Sequence, residues 1–208
     1  MDQKWIFFDV GFTLVDETDC YADYVKRCVT LLKDAGVDVS AQEYYQQMIT
    51  ASQQGLKPIK TVRESYASRP KPTWRYDGER LFSDTHAALT NLAERYQLGI
   101  IANQGAGLTD RLAQHGILDY FELIVSSHDL GIKKPAPEIF EHALTLAGAT
   151  AAQCVYVGDR CDNDIIPAKK LGFTTVRMLQ GLGAYQPEHD EYRSDFTIQQ
   201  LTELTKRI

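Results

Sequence analysis

Residues 5–14, Trp5-Ile6-Phe7-Phe8-Asp9-Val10-Gly11-Phe12-Thr13-Leu14, decide the fold. Four large apolar side chains in a row read as a strand buried on both faces, because a strand with one solvated face would alternate. The strand carries one carboxylate, Asp9, to its C-terminal end and then breaks at Gly11. In open α/β sheets ligands bind outside the carboxyl ends of the strands, so Asp9 stands where chemistry usually sits. The alternative is that Asp9 only hydrogen-bonds the turn that follows. The rest of the chain chooses between the two.

Beyond Leu14 the spacing becomes helical. Tyr21, Tyr24, Val25, Cys28, Val29, Leu31 and Leu32 recur every three or four residues, predicting a helix over 19–35 with Gly36 as its C-cap. Ser40 with Glu43 three residues on predicts a second helix running towards Gly55. Residues 57–80 mix basic side chains with prolines and aromatics, and no second strand like 5–8 occurs before residue 97. Residues 15–80 therefore read as a mainly helical insert. A helix from Ser83 or Asp84 to Tyr96 then restarts the rhythm. Apolar strands follow at 98–102, 121–125, 154–157 and 174–178, separated by helices near 109–115, 137–147 and 162–171. The tail from Phe196 has a short extended start and a final helix. This alternation predicts an α/β, Rossmann-like parallel sheet with helices on both faces and right-handed crossovers.

Bulk properties narrow the function. The chain has 208 residues, 44% of them hydrophobic and 24% charged, as in an ordinary globular protein. A net charge of -6 argues against a non-specific binder of nucleic acid or a membrane surface. No apolar run reaches the roughly 18 residues of a membrane span. Asp2 and Lys4 lead straight into a strand, unlike a signal peptide. Cys20, Cys28, Cys154 and Cys161 show no CxxC spacing, so they read as reduced thiols and the expected location is the cytoplasm.

Polar groups collect at the strand ends: Asp9, the Asn103 turn and Asp159, with Lys134 and Asp164 in nearby loops. Parallel order puts these ends on one rim. Three carboxylates in one cleft repel unless a cation neutralises them. Their oxygen donors suit a hard ion, and Mg2+ tolerates few protein ligands with several waters. Lys134 suits the charge of a phosphate or a salt bridge to Asp9. Such a set can support phosphoryl transfer, with a carboxylate attacking phosphorus and water cleaving the aspartyl-phosphate.

In this order the stretches resemble the haloacid dehalogenase-like (HAD) hydrolase superfamily, with a helical (C1) cap inserted after the first motif. Residues 9–14 stand in the family's DxDGT[LV] nucleophile motif, and 98–103 in the second motif, an apolar strand that normally ends in Ser or Thr. Lys134 in GIKKPAPEIF matches the third motif. Gly158-Asp159 with Asp164, in VYVGDRCDNDIIPAKKLGF, matches the fourth. The resemblance implies a HAD core over 1–14 and 81–208 and a helical cap over 15–80. It implies a Mg2+-dependent phosphatase of a small phosphorylated metabolite. Asp9 would be the nucleophile and a metal ligand, with the Gly11 carbonyl, Asp159 and Asp164 as further ligands. Lys134 would orient Asp9 and hold the phosphate, which the amides of Asn103 and Gln104 would also bind. Arg160 either contacts substrate or pairs with a neighbouring carboxylate.

Two departures matter. The family's general acid, an Asp two residues after the nucleophile, is Gly11 here, followed by Phe12 in place of Gly. General acid-base catalysis contributes about 10²–10⁴-fold, so its loss slows the reaction without preventing attack. Ala102 replaces the second motif's hydroxyl, and a charge-assisted hydrogen bond to phosphate is worth roughly 1.5–3 kcal/mol. Three explanations follow: a substrate with a good leaving group, a substitute acid from Asp16 or Glu17, or a binding protein without turnover. If the missing acid is the only defect, Gly11→Asp raises activity. A metal-independent 2-haloacid dehalogenase also lacks the second Asp, but Asp159 and Asp164 argue against it. The basic and aromatic cap stretch reads as a solvated surface rather than an anion site. Tyr21, Tyr24, Tyr44 and Tyr45 are expected to pack the cap helices, and Cys161 to be a plain loop thiol.

Overall fold

In the computed structural model, which describes residues 4–208, the opening apolar run is strand β1 (Trp5–Phe8), buried at all four positions. Asp2 lies outside the described residues. After β2 (Val15–Asp16) come helices α1 (Thr18–Asp34), α2 (Ala41–Gln53) and α3 (Pro58–Ser65). Strand β3 (Arg80–Leu81) then leads to α4 (Thr85–Ala93), β4 (Gln97–Ala102) and α5 (Leu108–Gln114). Next are β5 (Leu123–Ser126), α6 (Ser127–Leu130), α7 (Pro137–Ala147) and β6 (Cys154–Gly158). The chain ends with α8 (Ile166–Leu171), β7 (Thr174–Met178) and β8 (Phe196–Ile198).

Six strands form one parallel sheet in the order β5-β4-β1-β6-β7-β8. β1 lies inside it, with Phe8 opposite Ile100 on one side and Val157 on the other. From β4 the chain moves outward to β5, then crosses back and continues outward from β6. The order therefore reverses around β1, and a crevice opens where crossovers depart in opposite directions.

Successive side chains of a strand point to opposite faces, which explains why the β1 run is apolar throughout. Ile6 and Phe8 pack with Leu89, Leu98, Val155 and Val176 in one layer. Trp5 and Phe7 pack with Ile139, Phe140, Tyr156 and Phe173 in the other. Both layers carry helices, so no face of β1 meets water.

Helices α1, α2 and α3 build a third apolar cluster around Tyr24, Leu32, Tyr44, Met48 and Val62. α2 begins with the expected box: Ser40 Oγ accepts from the Glu43 amide at 3.1 Å, and the Glu43 carboxylate accepts from the Ser40 amide at 2.8 Å. Strands β2 and β3 pair antiparallel, Val15 with Leu81 and Asp16 with Arg80, bringing the two ends of the helical segment together. Ser52 Oγ also donates to the Leu182 carbonyl at 2.5 Å, tying α2 to the loop after β7.

The structure differs from the pattern in its details. The last helix is a 3-10 segment, Leu201–Lys206, whose three-residue period puts Leu201 and Leu204 together in the core. The helix expected from 162 opens as a π turn, Cys161–Ile165, before α8 begins. The strand expected at 121–125 starts later, because a 3-10 turn, Leu118–Tyr120, uses up the approach. All four cysteines are free and buried. Among the described residues no helix is long and apolar enough to cross a membrane.

Candidate active site

Asp9 leaves the end of β1 with its amide donating to the Val157 carbonyl at 2.8 Å. Asp159 leaves β6 next door, and Asp164 sits in the π turn behind it. Asp9, Asp159 and Asp164 each bring a carboxylate oxygen within 4.8 Å of the others. Lys134 comes from the loop between α6 and α7, its side chain buried. Its Nζ lies 2.9 Å from Asp9 Oδ1 and 2.6 Å from Asp164 Oδ1. The same Nζ donates to the Tyr156 hydroxyl at 2.8 Å, and that hydroxyl lies 2.9 Å from the Ile101 carbonyl, which accepts from it. Asn103 clamps the lysine's backbone from both sides: its Nδ2 donates to the Lys134 carbonyl at 2.9 Å, and its Oδ1 accepts from the Lys134 amide at 2.8 Å. Asp164 Oδ2 accepts from the Arg160 amide at 3.0 Å.

Close approach explains two glycines. A Cβ on Gly158 would lie 2.6 Å from the Asp164 Cβ, and one on Gly183 would lie 2.5 Å from Asp159 Oδ2. Neither position has room for a larger residue while the carboxylates stay in place.

Burial dominates the electrostatics. It raises the Asp9 carboxyl above its ordinary range, opposed by the Lys134 ammonium and reinforced by Asp164. It raises Asp159 further, with the Asp164 and Asp9 charges adding to the effect. Burial alone would lower Lys134, but the Asp164 and Asp9 carboxylates more than offset it and the lysine is raised. No donor among the described residues hydrogen-bonds the Asp159 carboxylate. Three close carboxylates facing one ammonium leave the site short of positive charge. An all-oxygen donor set with that deficit fits a hard divalent cation.

The first motif's departures now have a physical account. Phe12 takes the left-handed conformation, φ 51°, that the family's glycine would adopt freely. Its ring packs against Gly181 and lies 5.2 Å from the Tyr21 ring. A side chain at Gly11 would have to displace the Glu17 carboxyl, which occupies that space: a Cβ there would lie 2.6 Å from Glu17 Oε2. Burial pushes the Glu17 carboxyl up to about 8, with the Glu79 and Asp9 charges acting in the same direction.

A cavity of about 220 Å³ opens over this rim. Asp9, Gly11, Asn103, Gln104, Lys134 and Asp159 line it, and so does Arg160. Asp164 lies behind the lining, fully buried. Arg160 pairs with a neighbouring carboxylate, Asp162, through Nε at 2.9 Å and Nη2 at 2.7 Å, and it also lines the cavity. The Asn103 amide group is occupied by Lys134, which leaves its backbone N–H as the part able to meet a ligand.

Apart from Glu17, the helical segment contributes apolar and aromatic side chains to the cavity rather than basic ones. Tyr21, Ile59, Trp74 and Tyr76 line the cavity, whereas Lys57, Lys60, Arg69, Lys71, Arg75 and Arg80 are exposed. Tyr24 and Tyr44 are buried in the cluster that packs the helices and Tyr21 and Tyr45 pack against it, as expected, while Tyr21 also faces the cavity. Two polar contributors escaped sequence reasoning. Tyr156 was hidden inside an apolar run, where a phenol needing a hydrogen-bond partner was the available signal. Arg111 of α5 lies over the Tyr76 ring at 3.6 Å, pairs with Glu79 at 3.1 Å and donates to Gln104 Oε1 at 2.7 Å.

Comparison with known proteins agrees with this geometry. The haloacid dehalogenase-like hydrolase family matches residues 6–178. A glyceraldehyde 3-phosphate phosphatase of Methanocaldococcus jannaschii is 42% identical over 112 residues, which is 52% of this chain and 47% of that protein. The phosphatase of the same name from Methanopyrus kandleri is 27% identical over 97% of this chain and 95% of its own length. Among solved structures, the magnesium-bound HAD-hydrolase YfnB of Bacillus subtilis superposes with a TM-score of 0.70 at 20% identity, covering 100% of this chain and 99% of its own. The run of motifs, the sheet order and the family match lead to one conclusion: this chain belongs to the haloacid dehalogenase-like hydrolases.

Proposed function

We propose that this chain is a Mg2+-dependent phosphatase of a small phosphorylated metabolite, acting through a phosphorylated Asp9. The observation that carries the reading is the convergence of Asp9, Lys134, Asp159 and Asp164 beside one cavity at the sheet's switch point. Four relatives carry the name glyceraldehyde 3-phosphate phosphatase and two that of phosphoglycolate phosphatase. A cavity of about 220 Å³ suits a substrate of that class.

Lys134 holds Asp9 by one carboxylate oxygen, which leaves the other oriented towards phosphorus for in-line attack. Its ammonium also offsets charge on the transferring phosphoryl group. The backbone amides of Asn103 and Gln104 donate to phosphate oxygens where the family's hydroxyl is replaced by Ala102. Asp9, Asp159, Asp164 and the Gly11 carbonyl would hold Mg2+, which supplies Lewis-acid neutralisation of phosphate oxygens when bound. Residues 15–80 act as a cap over a core of 1–14 and 81–208, and Tyr21, Trp74 and Tyr76 keep water from the reacting centre. The protein works in the cytoplasm without nucleic-acid or membrane partners.

The test is a panel of small phosphomonoesters assayed with Mg2+ and with EDTA. Phosphate release that needs Mg2+ and disappears in Asp9→Asn supports the reading. No release from any member favours a binding protein without turnover. Chloride release from a 2-haloacid in EDTA would instead make it a dehalogenase.

A further inference from the structure

The nucleophile loop lacks a carboxylic acid two residues past Asp9, yet a carboxyl group stands beside Gly11. Glu17, the residue that leads into α1, turns its side chain back over the loop. A Cβ on Gly11 would meet all three atoms of the Glu17 carboxyl group, at 2.6, 2.7 and 2.8 Å. Glu17 is buried and lines the same cavity as Asp9. Gln104, which lines the same cavity, is held in place by Arg111 at 2.7 Å. Residue 11 has thus given up its side chain, and residue 17 fills the vacated space with a carboxyl on a longer arm.

Resting on the phosphatase reading above, we propose that Glu17 is the proton donor and acceptor of the reaction, replacing the acid absent at Gly11. In the first step an Asp9 oxygen bonds to phosphorus, the bond from phosphorus to the leaving alkoxide breaks, and the Glu17 carboxyl proton passes to that alkoxide. In the second step the Glu17 carboxylate takes a proton from water as its oxygen bonds to phosphorus. The bond between phosphorus and Asp9 then breaks, releasing phosphate and restoring the Asp9 carboxylate and the protonated Glu17. Glu17 and Gly11 form a complementary pair, so an acid added at 11 would displace the Glu17 carboxyl from its place. Gly11→Asp alone therefore brings no gain, contrary to the simple expectation from the motif.

The experiment compares leaving groups in Glu17→Gln. With primary alkyl phosphates the variant should lose about 10²–10⁴-fold in kcat, because an alkoxide needs a proton as it leaves. With 2,4-dinitrophenyl phosphate, whose leaving group needs none, it should release a stoichiometric burst of dinitrophenolate at near wild-type rate. Slow turnover should follow, because the phosphorylated Asp9 waits for its base. Equal losses in the burst and in alkyl phosphate turnover, or no loss in either, would overturn the assignment. If Glu17→Gln does not fold, Glu17→Ser with Gly11→Asp carries the test: at least about tenfold recovery over Glu17→Ser supports the exchange, and no recovery refutes it. Failure of the underlying reading has a different signature, since a wild-type enzyme that releases phosphate from no ester, or one whose phosphate release is unaffected by Asp9→Asn, would show that no phosphoryl transfer to Asp9 occurs.

Discussion

Replacing Lys134 by Met tests how the carboxylate cluster is balanced. Methionine keeps most of the apolar stem, so packing changes little, but the ammonium between Asp9 and Asp164 is lost. The lysine side chain is 1% exposed and that of Asp164 is 0% exposed, so water screens the charge left on Asp164 poorly. Removing one partner of a buried ion pair costs about 3–5 kcal/mol. For a chain of this size each kcal/mol moves Tm by about 2–4 °C, so the variant should melt roughly 6–20 °C lower. The deficit should depend on pH. Asp9 and Asp159 already have folded-state values raised above the unfolded ones, so stability falls as pH rises from the unfolded value through the folded one. Without Lys134 those carboxyls rise further, and the difference from wild type grows with pH and narrows towards the acid end. Urea unfolding in EDTA, near pH 8 and near pH 5, measures it directly. A deficit below about 1 kcal/mol near pH 8, or one of equal size near pH 5, would refute this charge balance.

Tyr156→Phe keeps the ring contacts with Phe140 and Phe173 at 5.1 and 6.2 Å but removes the hydroxyl that meets Lys134 and the Ile101 carbonyl. It should cost about 1–3 kcal/mol by urea midpoint; no change would mean the hydroxyl is not part of the support. Gly11→Asp should lower Tm, because the new side chain meets the Glu17 carboxyl, and a variant as stable as wild type would contradict the close approach. The four buried thiols should resist Ellman's reagent in the folded protein, Cys161 included, since burial pushes its pKa up to about 12. Rapid titration of one thiol in native buffer would contradict that placement.

Much of the fold was legible because the sheet is buried on both faces, so each central strand announces itself as an apolar run bounded by turns. The helices of 15–80 were legible from period and caps, as the Ser40 and Glu43 box shows. Short irregular elements were not, because the 3-10 tail and the π turn around Asp164 are set by what they pack against. At the site, Asp9, Lys134, Asp159 and Asp164 could be found by position relative to strand ends. The sequence showed that an acid was absent at Gly11. It named Glu17 as one substitute among others, because which side chain fills an empty space is a tertiary fact. Tyr156 and Arg111 act through partners distant in sequence, Lys134 and Gln104, so no local pattern marks them.

The central claim is that Asp9 carries the phosphoryl group. Acid-quenching the enzyme during turnover, reducing it with borohydride and mapping peptides by mass spectrometry tests this at the residue itself. An acyl phosphate on Asp9 is reduced to the alcohol, so homoserine should replace aspartate at position 9 in the presence of Mg2+ and substrate, and not in Asp9→Asn or in EDTA. Phosphate release with residue 9 unmodified at every quench time, together with full turnover by Asp9→Asn, would contradict the account.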